Sequence, residues 1–356
     1  MYYHRMDCVK VILLLPLAVF SGFRGNAQSS QAESSALMRR VDAVPKEVSL
    51  ADGSLKIVNL YKIEASVLLR SPSRAPAEIV DQLARDVYTP YSAFWRGYLG
   101  DEAAFREWAE TKLLATTHPI HSHLPAVLDL DLNRQFTQLS KWVYQISGKQ
   151  PLGTWYVVFG PGWTNMGGLG DIGMVLDFTR QEQNREAIEF VLVHELTHQV
   201  NSARPDDPNQ GTVLQRIVSE GLASYAAYVW AAGRKTPAES VFYTLEEWQW
   251  AIAHEEQLIA AARPYLLSKE RKDDDRLAAR NKHLLEGGPA AAGYFLDFGL
   301  CNNTWKGGVR SPGPRRSTCQ FGRCWTGVHI HFNDLPRGEP RLRLAAVSLS
   351  PRKWLR

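Results

Sequence analysis

The sequence predicts a mostly helical α+β protein with a small sheet directly before its central helix. Apolar residues recur at intervals of three and four over several long segments, which is typical of amphipathic helices. Two short runs of β-branched and aromatic residues, separated by a glycine-rich loop, predict strands instead. With 356 residues, of which 45% are hydrophobic and 22% charged, the chain can bury the core of one large globular domain.

The N-terminus has the pattern of an export signal over residues 1–27. Arg5 and Lys10 give it a positive start, an apolar run follows at 11–20, and small residues lead up to Ala27. The apolar run is too short to anchor a chain stably across a bilayer. We therefore expect cleavage, export to the periplasm or the medium, and no membrane span in the mature protein. An uncleaved anchor is the alternative.

The next segment, residues 28–75, begins with small polar residues. We expect a mobile leader at 28–36 and then a weakly structured stretch with one strand at 54–61. The helix-rich domain is expected to cover residues 76–300.

Two strands are expected immediately before the central helix. Residues 154–159 (TWYVVF) are β-branched and aromatic, and residues 171–178 (DIGMVLDF) follow a loop rich in glycine. An extended peptide could pair with the loop at 167–171 or with the strand after it. An ordinary hairpin connection explains the same pattern.

Helical periodicity dominates the remainder of the domain. Pro76 suits the first turn of a helix, and the segment 185–200 is strongly apolar. The highly charged run at 269–282 is expected to be solvated. Helices are predicted from Pro76 onward and at 101–114, 127–146, 185–200, 213–232 and 245–267.

Charge is distributed unevenly along the chain. The formal net charge is +4, but residues 301–356 carry +9 and residues 1–27 carry +2, which leaves −7 for residues 28–300. The expected folded part is therefore acidic, and the basic pI of the whole chain does not indicate a nucleic-acid partner.

Residues 301–356 differ in texture from the rest, because they are rich in Arg, Pro, Ser and Gly without a helical period. A basic tail that binds anionic surfaces is one interpretation. We favour a shifted reading frame near Cys301, since the adjacent frame encodes a helix-like continuation. Apart from Cys8, every cysteine lies in this region, so the expected domain contains no disulfide.

Two histidines and a glutamate give the sequence its clearest chemical pattern. His194 and His198 are four residues apart in a predicted helix, which puts both imidazoles on one face, where one cation can bind both. Glu195 follows the first histidine and projects beside such a cation, where it can accept a proton from water. Zn²⁺ suits hydrolysis at neutral pH and is the cation that we expect.

A zinc site of this kind needs a third protein ligand. Glu220 lies on the next predicted helix, beyond a Pro- and Gly-containing loop that can reverse the chain, and small neighbours at Gly221 and Ala223 allow the helices to approach closely. Asp206 and Asp207 in that loop are the rival ligands.

The segments HELTH at 194–198 and SEGLASY at 219–225 resemble the gluzincin branch of the zincin metallopeptidases. They are similar to bacterial exported proteins described as predicted zinc-dependent proteases, some related to gliding-motility lipoproteins, and the resemblance covers about residues 155–298. It implies a zincin-like domain acting on peptides or proteins. It also implies His194, His198 and Glu220 as zinc ligands with Glu195 as general base.

One position departs from the gluzincin pattern. Many gluzincins carry Asp four residues after the ligand glutamate, as a partner for a ligand histidine, and this chain has Ser224 there. A group that stabilises negative charge on the substrate carbonyl is also expected. The candidates are Tyr225, Tyr228, Tyr294 and His254.

Two other functions fit the same sequence. The protein could keep the fold as a binding or envelope protein without turnover, or it could hydrolyse a non-peptide amide with zinc. The oligomeric state is not predicted.

Overall fold

The computed structural model describes residues 23–70, 73–201 and 209–301. Helices make up most of this part of the chain and strands a small share, which confirms the expected mostly helical α+β class. The helices are α1 (Phe23–Ala43), α2 (Leu60–Leu69), α3 (Pro76–Leu83), α4 (Ser92–Tyr98), α5 (Glu102–Trp108), α6 (Ile120–Asp129), α7 (Leu132–Ser147), α8 (Arg185–Val200), α9 (Val213–Ala231), α10 (Pro237–Ser240), α11 (Leu245–Ala253), α12 (Glu255–Ala262), α13 (Arg271–Ala278) and α14 (Ala292–Cys301). The strands are β1 (Glu47–Leu50), β2 (Leu55–Asn59), β3 (Gly153–Val158), β4 (Met166–Gly168) and β5 (Met174–Asp177).

The five strands form one mixed sheet in the order β1-β2-β3-β5-β4. β3 lies in the middle and pairs in parallel with β2 and β5, while β1 and β4 are antiparallel to their neighbours at the two edges. All four residues of β5 are buried, as expected for a strand covered on both faces. Strands from the N-terminal segment and from the expected helix-rich domain thus share one sheet.

β4 is a short edge strand, and the loop before it is fixed by a buried carboxylate at the end of β5. Asp177 accepts hydrogen bonds from the backbone N–H groups of Gly160 (2.9 Å), Gly162 (2.9 Å) and Thr179 (2.8 Å), and from the Tyr98 hydroxyl (2.7 Å). The bonds from Gly160 and Gly162 hold the turn that leads from β3 to β4, the bond from Thr179 fixes the chain just after β5, and the bond from Tyr98 ties α4 to the same carboxylate. The expectation that the strand after the glycine loop offers a free edge is wrong, because β5 lies between β3 and β4.

Helices α8 and α9 follow the sheet and pack against each other. Asn184 caps the start of α8 by accepting hydrogen bonds from two backbone N–H groups, and Thr212 caps α9 in the same way with one. α9 also packs against α14, and its small residues Gly221 and Ala223 are buried. The helices predicted at 185–200 and 213–232 are confirmed.

Two predicted helices are each divided in the structure. The segment 127–146 spans parts of α6 and α7, which are separated where Asp131 adopts a left-handed backbone with φ of 50°. The segment 245–267 consists of α11, α12 and a final 3₁₀ turn, with a break at His254. A hydrophobic pattern persists across such breaks, so periodicity alone does not locate them.

Two polar segments contain helices that the sequence analysis did not predict. Residues 28–36 lie within α1, which corrects the expected leader. The charged run at 269–282 contains α13, where Leu277 is fully buried and Asp274 pairs with Arg216. The high charge of this segment is thus compatible with a helix, because α13 buries Leu277 and keeps its charged side chains on the other faces.

Residues 1–22 and 302–356 lie outside the described residues. The export signal at 1–27 and the shifted frame near Cys301 therefore stay predictions. Of the signal, only residues 23–27 are described, and they form the start of α1. Among the described helices, none has the length and hydrophobicity that crossing a bilayer requires.

Candidate metal centre

Three side chains converge between α8 and α9. The Nε2 atoms of His194 and His198 are 3.1 Å apart, and the Glu220 carboxylate oxygens lie 3.3 Å from Nε2 of His194 and 3.5 Å from Nε2 of His198. These residues form the one group of three or more potential metal-ligating side chains found within the described residues. The structure thus brings together the three residues that the sequence singled out as ligands.

The spacing of these atoms fits a tetrahedral zinc site. Zn²⁺ binds imidazole nitrogen and carboxylate oxygen at about 2.0–2.2 Å, so tetrahedral ligand atoms are about 3.3–3.6 Å apart. The two Nε2 atoms are 3.1 Å apart, and the distances of 3.3 and 3.5 Å run from them to the two different oxygens of Glu220, so each separation lies at or close to that range. Three protein ligands leave a fourth position open, which is the arrangement of catalytic rather than structural zinc.

Neighbouring groups orient one histidine but not the other. Nδ1 of His198 is 2.9 Å from the Ser219 hydroxyl, a hydrogen bond that leaves Nε2 of His198 facing Glu220. Nδ1 of His194 is buried without a hydrogen-bond partner in the described part of the chain, and so is the Ser224 hydroxyl. Ser219 therefore provides the hydrogen bond to His198, although the sequence analysis did not single it out. Ser224, at the position where many gluzincins carry Asp, makes no such bond in the described part of the chain.

Electrostatics in the cluster favour a charged carboxylate. Burial raises the pKa of Glu220, but hydrogen bonds from His194 and His198 outweigh burial and hold that pKa far below its usual value. Burial lowers the pKa of His198, whereas the hydrogen bond and the charge of Glu220 raise it, with a net increase. The site therefore attracts positive charge, as a cation-binding site requires.

A cavity of about 450 Å³ opens onto the three ligands. Glu195 lines it, as expected for a group that acts beside the metal. Gly167 and Gly168 of the edge strand β4 also line the cavity. So does the ion pair between Arg216 of α9 and Asp274 of α13, with an N–O distance of 2.7 Å. No local sequence pattern indicates this pair, since 58 positions separate its members.

Tyr294 alone of the four charge-stabilising candidates lines the cavity. Burial, followed by the charge of the nearby Glu220, raises its pKa well above the usual value. The rings of Tyr225 and Tyr228 pack against Phe298. His254 stacks on Trp250 and bonds the carbonyl of that residue.

The rival ligands Asp206 and Asp207 lie outside the described residues. The loop that carries them connects α8 to α9.

Comparison with known proteins agrees with this geometry at a coarse level. Residues 161–305 match a protein family described as "Predicted Zn-dependent protease (DUF2268)". The matched segment runs from the loop before β4 past the end of α14, so it contains His194, Glu195, His198 and Glu220. No curated protein and no solved structure matches the chain significantly. The match supports a zinc protease and leaves the gluzincin type and the gliding-motility relationship as predictions.

Proposed function

We propose that this protein is an exported zinc-dependent peptidase that cleaves peptide bonds with Glu195 as general base. The observation that carries the proposal is the convergence of His194, His198 and Glu220 at separations of 3.1–3.5 Å, with Glu195 lining the same cavity. The family match supports the protease class, and the signal pattern at residues 1–27 supports export.

His194, His198 and Glu220 would hold the zinc ion, which when bound polarises a carbonyl and makes water more acidic. Glu195 accepts the proton of the attacking water and delivers it to the leaving amine. The Tyr294 hydroxyl faces the same cavity and donates a hydrogen bond to the carbonyl oxygen as negative charge develops there.

The edge strand β4 supplies a surface on which a peptide can be aligned. Gly167 and Gly168 line the cavity, and an edge strand has backbone groups free to pair with an added strand. Glycines let a second backbone approach closely, because no side chain intervenes. An extended peptide paired with β4 would carry a carbonyl past Glu195.

The proposal is tested with a Glu195→Gln variant, which retains the side-chain shape and removes the base. We expect zinc content to stay unchanged and the kcat/KM for peptide cleavage to fall by at least about 100-fold, the usual contribution of a general base. Cleavage is measured by mass spectrometry on a peptide library. Glu186→Gln is the matched control, since Glu186 is an exposed glutamate in the first turn of α8.

Full activity in Glu195→Gln would contradict the proposed role of this residue. A zinc-loaded wild-type protein that cuts no peptide would favour either of the two alternatives, a binding protein with the same fold or a hydrolase of non-peptide amides. Screening non-peptide amides separates those two.

A further inference from the structure

An arginine outside the metal cluster contacts two aromatic rings, one of which belongs to a residue that lines the cavity. The Arg280 guanidinium carbon lies 4.2 Å from the ring centroid of Tyr294 and 4.6 Å from that of Phe242. Its Nη1 atom donates a hydrogen bond to the carbonyl of Val241 at 3.1 Å. Two ring contacts and one directed hydrogen bond fix the position of the guanidinium, although the side chain as a whole is exposed.

Phe242 has an unusual backbone conformation, in a turn from which its side chain contacts Arg280. Phe242 has a φ of 62°, a left-handed conformation that is rare and strained for a bulky residue. The turn is closed by the N–H of Phe242 bonding the carbonyl of Glu239 (3.1 Å) and by the N–H of Tyr243 bonding that of Ala238 (2.9 Å). It leaves the Phe242 side chain 51% exposed, against Arg280 and edge-on to Phe190 of α8 at 6.3 Å.

The tyrosine that Arg280 contacts belongs to the cavity beside the metal cluster. Tyr294 lines that cavity together with His194, His198 and Glu220. Because the Arg280 guanidinium lies on its ring, the arginine limits the positions that this ring and its hydroxyl can take in the cavity.

We propose that Arg280 is a positioning residue for the peptidase reaction, which holds the Tyr294 ring so that its hydroxyl can donate a hydrogen bond to the substrate carbonyl. Phe242 contacts the same guanidinium and helps to keep it on the tyrosine ring. The inference rests on the proposed function. It adds a residue that contacts neither the three ligands nor the substrate.

A double-mutant cycle tests whether Arg280 acts through the hydroxyl. In the parent protein, Arg280→Met should lower kcat about fivefold, equivalent to about 1 kcal/mol, with little change in KM or zinc content. In a Tyr294→Phe background the phenyl ring is retained but the hydroxyl is lost, so Arg280→Met should have no further effect on kcat. Arg280→Lys, which keeps the charge, should recover part of the loss.

A matched control is available in the same helical region. Arg276 stacks on the ring of Tyr265 at 5.2 Å, a comparable contact that does not border the cavity. Arg276→Met should leave kcat unchanged. An equal loss of kcat from Arg280→Met in both backgrounds would overturn the proposal, because a merely structural role does not need the hydroxyl. An unchanged kcat in the parent background would overturn it as well.

A binding measurement separates this inference from the proposed function. Calorimetry on the zinc-loaded protein can use a phosphonamidate dipeptide that mimics the tetrahedral geometry of the reaction. Arg280→Met should weaken the binding of this dipeptide about fivefold when Tyr294 is present. In the Tyr294→Phe background, Arg280→Met should leave its Kd unchanged. A protein that binds zinc but cuts no peptide contradicts the proposed function alone, and the calorimetric cycle still decides the role of Arg280. Equal weakening of Kd in both backgrounds counts against it.

Discussion

At the scale of single residues, Glu64 of α2 is the acid whose burial has the clearest consequence. Its side chain is fully buried, and one carboxyl oxygen accepts a hydrogen bond from the Phe159 N–H at 2.9 Å. The other oxygen has no hydrogen-bond partner within the described residues. Burial, with a smaller contribution from the charge of Asp177, raises the pKa of Glu64 well above its usual value, against the hydrogen bond from Phe159.

A raised pKa for a buried acid makes stability depend on pH. Above the usual pKa of 4.5 the unfolded chain releases a proton that the native state keeps, so the free energy of unfolding falls as pH rises toward the native pKa. We predict that Glu64→Gln removes this fall, which amounts to at most about 1.4 kcal/mol per pH unit. Urea unfolding of the metal-free protein at pH 5.5 and 7.5 measures it.

The comparison with wild type cancels the titration of all other groups. Glu78→Gln is the control, since Glu78 is exposed in the first turn of α3. Wild-type and Glu64→Gln profiles that run parallel between the two pH values would show that Glu64 titrates alike in both states.

The residues of the candidate site were predictable from sequence to different degrees. His194 and His198 follow from helical spacing, because both lie in one helix and a period of 3.6 fixes which face they share. Glu220 was predictable as well, because a reversal of the chain after α8 is enough to bring the next helix, and this residue with it, close to the two histidines. The roles of Ser219 and Arg280 depend on side-chain directions and on packing between separate helices, and no local pattern encodes those.

At the scale of elements, the loop before β4 determines where the free edge of the sheet lies. Asp177 anchors it through the backbone N–H groups of Gly160 and Gly162. A single side chain thus places the strand that borders the cavity.

Removal of that anchor should therefore be costly. Asp177→Ala leaves the buried N–H of Gly160 and the partly buried N–H groups of Gly162 and Thr179 without this acceptor, and a buried unsatisfied donor costs about 1–3 kcal/mol. We predict a loss of about 2 kcal/mol or more in the free energy of unfolding, measured by urea denaturation. Asp171→Ala, at an exposed position in the neighbouring connection between β4 and β5, should change it by less than about 0.5 kcal/mol. Similar stabilities for the two variants would show that Asp177 does not anchor the loop.

Elements were predicted well where their ends carry capping signals. Asn184 and Thr212 start α8 and α9 at the expected positions, because their side chains bond the free N–H groups of the first turn. The breaks at Asp131 and His254 were missed, since each interrupts a hydrophobic pattern that continues on both sides. The pairing order of the sheet was likewise beyond local sequence, because β2 pairs with a strand almost 100 residues away.

At the scale of the whole molecule, the candidate centre lies between two helices that pack against different parts of the fold. α8 follows the sheet, α9 packs against both α8 and α14, and the ligands come from α8 and α9. A cation bound there would link the two helices and stabilise the native state in proportion to its affinity. Zinc binding by His194, His198 and Glu220 is the claim on which the function depends.

The most direct test is metal analysis combined with X-ray absorption on the purified protein. We predict about one zinc ion per chain, with two imidazole nitrogens and one carboxylate oxygen at about 2.0–2.2 Å, and loss of that zinc in His194→Ala and in Glu220→Ala. A protein that takes up no zinc, or that keeps an unchanged zinc shell in both variants, would contradict the account.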